Sequence, residues 1–256
     1  MTYGLSFITD ADLLHHVSET VNKYRFKIDL KKLNKNLLDP IKLTFDGLIY
    51  QGSIDNNALK KVLDNEILRQ MDKSNTNHIG YFHQNIFRYI EKDQGWLVPK
   101  EGFDIENKKL NIFVEMKNKH NTMNSSSAAK TYMRMQNKLL QNPKSTCYLV
   151  EIIAKHSQNI EWVCSIDKQK MKHKNIRRIS IDRFYELVTG NKNAFAELCT
   201  VLPLVIRDAI KNHKKRLIEN TVLDDLQKHQ AEYILENLYL LAFKEYQGFN
   251  EFKLND

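Results

Sequence analysis

Two β-rich apolar runs with a helical stretch between them limit this chain more than any other feature. The first run is Leu110 to Lys117 and the second is Thr146 to Ala154 (T-C-Y-L-V-E-I-I-A). The second, largely apolar, suits a central strand buried on both faces. Between them the pattern from about Ala128 to Leu140 is helical, with good N-cap residues just before it at Asn124, Ser125 and Ser126. A short strand at Gly102–Ile105 precedes the first run across the polar turn Glu106-Asn107-Lys108-Lys109, and further strands are expected at Glu161–Ile166 and Arg177–Ile181. A helix between two strands of one compact set specifies an α/β arrangement on a single mixed sheet.

Helices are expected on both sides of that sheet. At about Asp10–Tyr24, Leu13, Leu14, Val17 and Val21 recur at helical spacing, and similar patterns cover Asn57–Met71 and Ile79–Glu91. The Asp93-Gln94-Gly95 group ends the third. After the sheet, Phe184–Val188, Ala194–Lys211 and Leu217–Tyr246 are helical in pattern. The expected organisation is one domain over residues 1–211, with its core at about 79–190, and a helical extension over 212–256. The extension carries Leu223, Leu226, Tyr233, Ile234, Leu238 and Leu241, an apolar set that packs on the core or on a second copy of the chain.

The three cysteines, Cys147, Cys164 and Cys199, have no C-x-x-C spacing and no even pairing, which fits a reduced intracellular protein and disfavours a zinc site. Acids among the first apolar residues disfavour a secretory signal, and no apolar run approaches the roughly 20 residues that span a bilayer. The expected location is the cytoplasm. A net charge of +8 favours a polyanionic partner such as nucleic acid. The lysines are dispersed, however, so most are expected on solvated helix faces and turns.

Glu-x-Lys occurs three times, as Glu106/Lys108, Glu115/Lys117 and Glu251/Lys253. The first lies in the turn and the third in the polar tail. Glu115/Lys117 alone is embedded in an apolar strand, Asn111-Ile112-Phe113-Val114-Glu115-Met116-Lys117. Alternation sends Ile112, Val114 and Met116 to one face, and Phe113, Glu115 and Lys117 to the other, with the acid and the amine roughly 7 Å apart at their backbones. Charges on such a strand cost desolvation and tend to mark sites. With the hairpin loop centred near Lys109, Asp104 lies across from Glu115. Two carboxylates and a main-chain carbonyl suffice for Mg²⁺, a hard ion that keeps several waters. That set suits metal-assisted phosphodiester cleavage, with Lys117 on the attacking water or the developing charge. The plain alternative is an exposed hairpin with a surface Glu-Lys pair.

Downstream, Asn118-Lys119-His120-Asn121-Thr122-Met123-Asn124-Ser125-Ser126-Ser127 is dense in hydrogen-bond donors and runs into a helix start. Such a segment can cradle phosphate and read base edges. Together with Gly102-Phe103-Asp104-Ile105 and Val114-Glu115-Met116-Lys117, it closely resembles a family of PD-(D/E)XK type II restriction endonucleases that cut interrupted GG-any-CC palindromes. Leu5-Ser6-Phe7-Ile8, Ile41–Asp46, Glu66–Lys73 and Ile79–His83 resemble that family too, and the likeness weakens towards Ile210.

The resemblance implies a homodimer that cuts double-stranded DNA with Mg²⁺, Mn²⁺ substituting, to leave 5′-phosphates, and a DNA methyltransferase that protects the host. It implies that Asp104, Glu115 and the Met116 carbonyl hold the metal and that Lys117 serves the reaction. Asn118, Lys119, His120, Asn121, Thr122, Asn124, Ser125 and Ser126 would contact DNA. His83 and Gln84 would stand behind the metal ligands, although His83, on a helix whose other face is apolar, reads first as a structural histidine, and relatives often carry an acid where this chain has Gln84. A nuclease of DNA repair or recombination and a non-catalytic DNA-binding module are the alternatives. Of the remaining residues, Trp96 and Trp162 are expected in the core, and His15 and His16 at the surface. The basic run Lys168–Lys174, with Arg177 and Arg178, either straddles phosphates or is a solvated loop.

Overall fold

The computed structural model describes residues 2–25, 27–28, 56–211 and 219–220, together with Leu33, Asp39, Ile41, Lys42, Phe45, Asp46 and Ile49. The chain forms two compact units, one of Met1–Asn22 with His78–His213 and the other of Lys23–Asn77 with Lys214–Asp256.

The first unit is built on a six-stranded mixed sheet. Its strands are β2 (Trp96–Leu97), β3 (Ile105–Asn107), β4 (Ile112–Lys119), β5 (Thr146–Ile153), β6 (Asn159–Glu161) and β9 (Ile176–Ser180), in the order β2-β3-β4-β5-β9-β6. Parallel pairing joins β4 to β5 and β5 to β9, and the outer pairs are antiparallel. Helix α3 (Ser125–Gln141) connects β4 to β5, as a crossover between parallel neighbours requires. The apolar run at Thr146–Ile153 is therefore a central strand, as its composition indicates.

Alternation along the strands sorts the side chains into two layers. Val114, Met116, Tyr148, Val150 and Ile179 join a core with α1 (Asp10–Lys23), α4 (Ile181–Thr189) and α5 (Ala194–Lys211), around Leu13, Val17, Phe184, Tyr185 and Leu198. Phe113, Cys147, Leu149 and Ile176 face the other way, against Tyr132, Met135 and Leu139 of α3, with Trp162 and Cys164. Each fully buried large side chain there contributes about 1.5–3 kcal/mol. Tyr132 and Trp162 meet edge to face at 5.3 Å, the arrangement that aromatic quadrupoles favour. Both tryptophans are buried, as expected.

Several boundaries differ from the sequence reading. The helices expected at 57–71 and 79–91 are one helix, α2 (Asn56–Asn85). The polar stretch Asp72–His78 lacks an apolar stripe but also lacks glycine and proline, so nothing breaks the backbone there. The chain leaves the helix through a 3₁₀ turn at Ile86–Arg88 and left-handed residues at Glu91 and Gly95. The strand expected at 161–166 is two pieces. Glu161 ends β6, while Cys164–Ile166 (β7) turns through Asp167 and Lys168, both at positive φ, into β8 (Gln169–Met171) as a separate hairpin. His16 is 2% exposed, its ring stacked on Phe82 at 4.7 Å with Nε2 3.0 Å from the Phe82 carbonyl, so it belongs to the core and not to the surface.

In the second unit β1 (Lys27–Ile28) pairs in parallel with β10 (Glu219–Asn220). Leu33, Leu63 and Ile67 are buried, and the Gln70 amide donates to the Leu33 carbonyl at 3.0 Å. Glu219 and Asn220, within the helix expected over Leu217–Tyr246, are strand residues; the rest of that expected helix, with its apolar set, lies outside the described residues. Among the described residues no helix is long and apolar enough to cross a membrane.

Candidate active site

The β3–β4 hairpin has the register that aligns the two acids. Ile105 pairs with Val114 and Glu106 with Phe113, and the Asp104 N–H donates to the Val114 carbonyl at 2.9 Å, which leaves Asp104 opposite Glu115. The turn sits at 108–111, where Asn107 Oδ1 accepts from the Leu110 N–H at 3.0 Å and Asn111 adopts φ 56°. Asp104 Oδ2 accepts from the Met116 N–H at 2.7 Å, which fixes this carboxylate against β4.

Glu115 is buried on the α3 side of the sheet, and each of its oxygens meets a cation. Lys117 Nζ donates to Oε1 at 2.7 Å, and Arg134 Nη2 donates to Oε2. Burial, and then the Glu115 charge, raise the Asp104 carboxyl above its usual range; the Met116 N–H, Lys117 and Arg134 oppose that rise. The Asp104 and Glu115 carboxylates, with the main-chain carbonyl of Met116, form a set of hard oxygen donors of the kind a divalent cation takes. The residues therefore fit Mg²⁺.

A raised carboxyl has a stability consequence. The folded chain holds the Asp104 proton more tightly than the unfolded chain does. This group thus favours the fold below the ordinary carboxylate range and loses that contribution as pH rises through its raised pKa. Asp104→Asn keeps an oxygen for the Met116 N–H and removes the charge. It is expected to stabilise the metal-free protein at pH 7 by about 0.5–2 kcal/mol, the usual gain from relieving a strained site. Thermal melts with and without the substitution check this, and a lower melting temperature overturns it.

The donor-rich segment lies at the same end of the sheet. Asn118 and Lys119 end β4, and His120 is tied to β5, its N–H donating to the Ile153 carbonyl at 3.1 Å. The Thr122 hydroxyl donates to the Lys119 carbonyl at 2.8 Å. Asn124 caps α3 by accepting from the Ser127 N–H at 2.8 Å, so its carbonyl oxygen is committed. Asn121, Thr122, Ser125 and Ser126 are exposed. The groove beside them, about 640 Å³, lies between α3 and the β7–β8 turn and is lined by Ser125, Ser126, Lys130, Arg134 and Asp167 among others.

His83 and Gln84 are not joined to this cluster. No hydrogen bond or ion pair among the described residues links either of them to Asp104, Glu115 or Lys117. His83 lies in α2 beside Phe82, and burial followed by His16 pushes its pKa down to about 4, so the ring is neutral near pH 7.

Two charged residues at the site, Arg134 and Glu151, escape the sequence reading, and a third, Arg178, enters it only alongside the basic run. Arg134 projects from α3 onto Glu115. Glu151, 1% exposed on β5, is the register partner of Lys117 and pairs with Arg178 of β9 at 2.7 Å. Arg178 Nη2 also donates to the His120 carbonyl at 3.3 Å. Glu151 had a signal: it is a lone acid inside an apolar strand, the same signature that selected Glu115.

Residues 5–211 match the model of a family described as Eco47II restriction endonuclease. The chain is also similar to the type II restriction enzyme Sau96I of Staphylococcus aureus, 32% identical over 83% of this chain and 83% of that enzyme. It is similar as well to the type II restriction enzyme Eco47II of Escherichia coli, 29% identical over 79% of this chain and 86% of the relative.

Proposed function

The chain belongs to the Eco47II restriction endonuclease family of type II restriction enzymes, and from that premise we propose that it cuts double-stranded DNA at a GGNCC-like palindrome, with Mg²⁺ and Asp104, Glu115 and Lys117 as its active centre. The observation that carries this reading is the Asp104–Glu115 pair, aligned by the hairpin register with Lys117 Nζ 2.7 Å from Glu115. The fold is read as the PD-(D/E)XK core, with the carboxylate pair on adjacent strands.

In this reading Asp104, Glu115 and the Met116 carbonyl hold Mg²⁺, and Mn²⁺ substitutes. The ion, when bound, polarises the phosphoryl oxygen and acidifies water. Asp104 stays fixed by the Met116 N–H, so it is preorganised. Lys117 keeps its ammonium on the Glu115 side, where it orients the attacking water and offsets charge on the phosphate. Asn118 to Ser126 directly follow the cluster along the chain, and their exposed amides, hydroxyls and Lys119 suit phosphates and base edges. Hydrolysis leaves a 5′-phosphate. Two copies related by a two-fold axis each cut one strand of the palindrome. The enzyme works in the cytoplasm, paired with a methyltransferase that protects host DNA.

Digestion of a sequenced phage DNA with and without Mg²⁺, followed by end mapping, tests the proposal. Discrete fragments with 5′-phosphates at one GGNCC-like site are expected only with the metal. A smear, cleavage from ends, or no cleavage overturns it.

A further inference from the structure

Arg134 is a charged group at the centre to which the chemistry above gives no part. Nη1 donates to the Gly102 carbonyl at 3.1 Å, the guanidinium lies 5.0 Å from the centre of the Phe103 ring, and Nε is buried without a hydrogen-bond partner. Its side chain is 40% exposed, against 29% for Lys117 and 10% for Glu115. Arg134 also lines the groove between α3 and the β7–β8 turn, with Ser125, Ser126 and Lys130. The residue thus connects the buried acid to an open, hydroxyl-lined and partly basic channel.

Each Glu115 oxygen already faces a cation, so a divalent metal that binds there competes with Lys117 and Arg134 for the carboxylate's lone pairs and is repelled by their charge. Of the two, Arg134 is the more exposed and has a second place to go. An arginine freed beside a bound cation needs an anion, and its planar fork matches the oxygens of a phosphodiester. We infer that Arg134 holds Glu115 in the metal-free chain and exchanges it for a DNA phosphate in the α3 groove when a divalent cation binds. The inference rests on the proposed nuclease site. It makes Arg134 a metal-responsive phosphate ligand and assigns the groove to one DNA strand.

Calorimetric titration of the full chain with Mg²⁺, without DNA, tests the first half. Arg134→Gln removes the competitor, and Mg²⁺ affinity is expected to rise roughly 10-fold, the weight of one charge-assisted hydrogen bond. The second half is read from duplex DNA binding with Ca²⁺ in place of Mg²⁺. Arg134→Gln is expected to weaken binding and to lower the salt slope by about one. Cleavage is expected to fall about 100-fold, as when one preorganised donor is lost. Unchanged or weaker Mg²⁺ binding overturns the exchange, and an unchanged salt slope overturns the phosphate contact. Should Arg134→Gln fail to fold, Arg134→Lys decides: it loses the fork and is expected to bind Mg²⁺ more tightly and cut more slowly, and wild-type values for both overturn the inference. A Glu115→Gln chain that binds Mg²⁺ like wild type defeats the underlying nuclease site instead. Loss of Mg²⁺ binding there, with no gain in Arg134→Gln, defeats this inference alone.

Discussion

Asp104→Ala, Glu115→Ala and Lys117→Ala are each expected to lower DNA cleavage by on the order of 10⁴-fold or more, because residues that act as one unit lose nearly the whole effect when any member is removed. The three substitutions differ in what they do to the fold, and that difference separates chemistry from stability. Lys117→Ala leaves Glu115 with Arg134 as its counter-ion, so its melting temperature should change least. Asp104→Ala leaves the Met116 N–H without its acceptor, a loss of roughly 1–3 kcal/mol if water does not replace it. Glu115→Ala leaves both Lys117 and Arg134 without their shared carboxylate. It is expected to be the least stable of the three. Cleavage assays with circular dichroism and thermal melts on the same preparations check both orders. Full activity in any of the three would remove that residue from the centre.

The geometry of the candidate site is legible where it is local to one hairpin. An acid and an amine two residues apart in an apolar strand share a face by alternation, and the number of residues between Asp104 and Glu115 fixes a register that the structure reproduces. The β4–α3–β5 order, and with it the central strand, follows from the β propensity of two apolar runs and from the helical pattern and N-cap residues between them. What stayed hidden depends on distance in sequence. Arg134 reaches Glu115 across a helix–sheet interface, and nothing in the periodicity of α3 marks which of its polar residues turns inward at the rim. Helix boundaries failed at Asp72–His78 for a related reason: a polar helical stretch has no apolar stripe to announce it. The end of β6 and β7 read as one strand because β propensity does not record where pairing partners change. The His16 burial depends on Phe82, 66 residues away.

The pair Glu151–Arg178 gives the second large effect, and its sign depends on which partner is removed. Glu151 has a side chain 2% exposed, whereas Arg178 is 31% exposed and has a second hydrogen bond, to the His120 carbonyl. Arg178→Ala therefore strands a carboxylate in the sheet layer, and one Glu151 oxygen already lacks a partner. The expected cost is about 3–5 kcal/mol, the range for breaking a buried ion pair from one side. For a unit of this size that corresponds to a melting temperature lower by roughly 10 °C. Glu151→Gln removes the buried charge instead, keeps an acceptor oxygen, and leaves Arg178 able to reach solvent, so it should cost about 1 kcal/mol. If desolvation of Glu151 is the cause, adding Glu151→Gln to Arg178→Ala must recover part of the loss, since the stranded charge is then gone. A double variant as unstable as the sum of the two singles would instead make Arg178 a packing residue. Cleavage provides an independent reading. Arg178 anchors the His120 end of the segment proposed to contact DNA, and Glu151 is the register partner of Lys117. The double variant is thus expected to regain stability without regaining full activity.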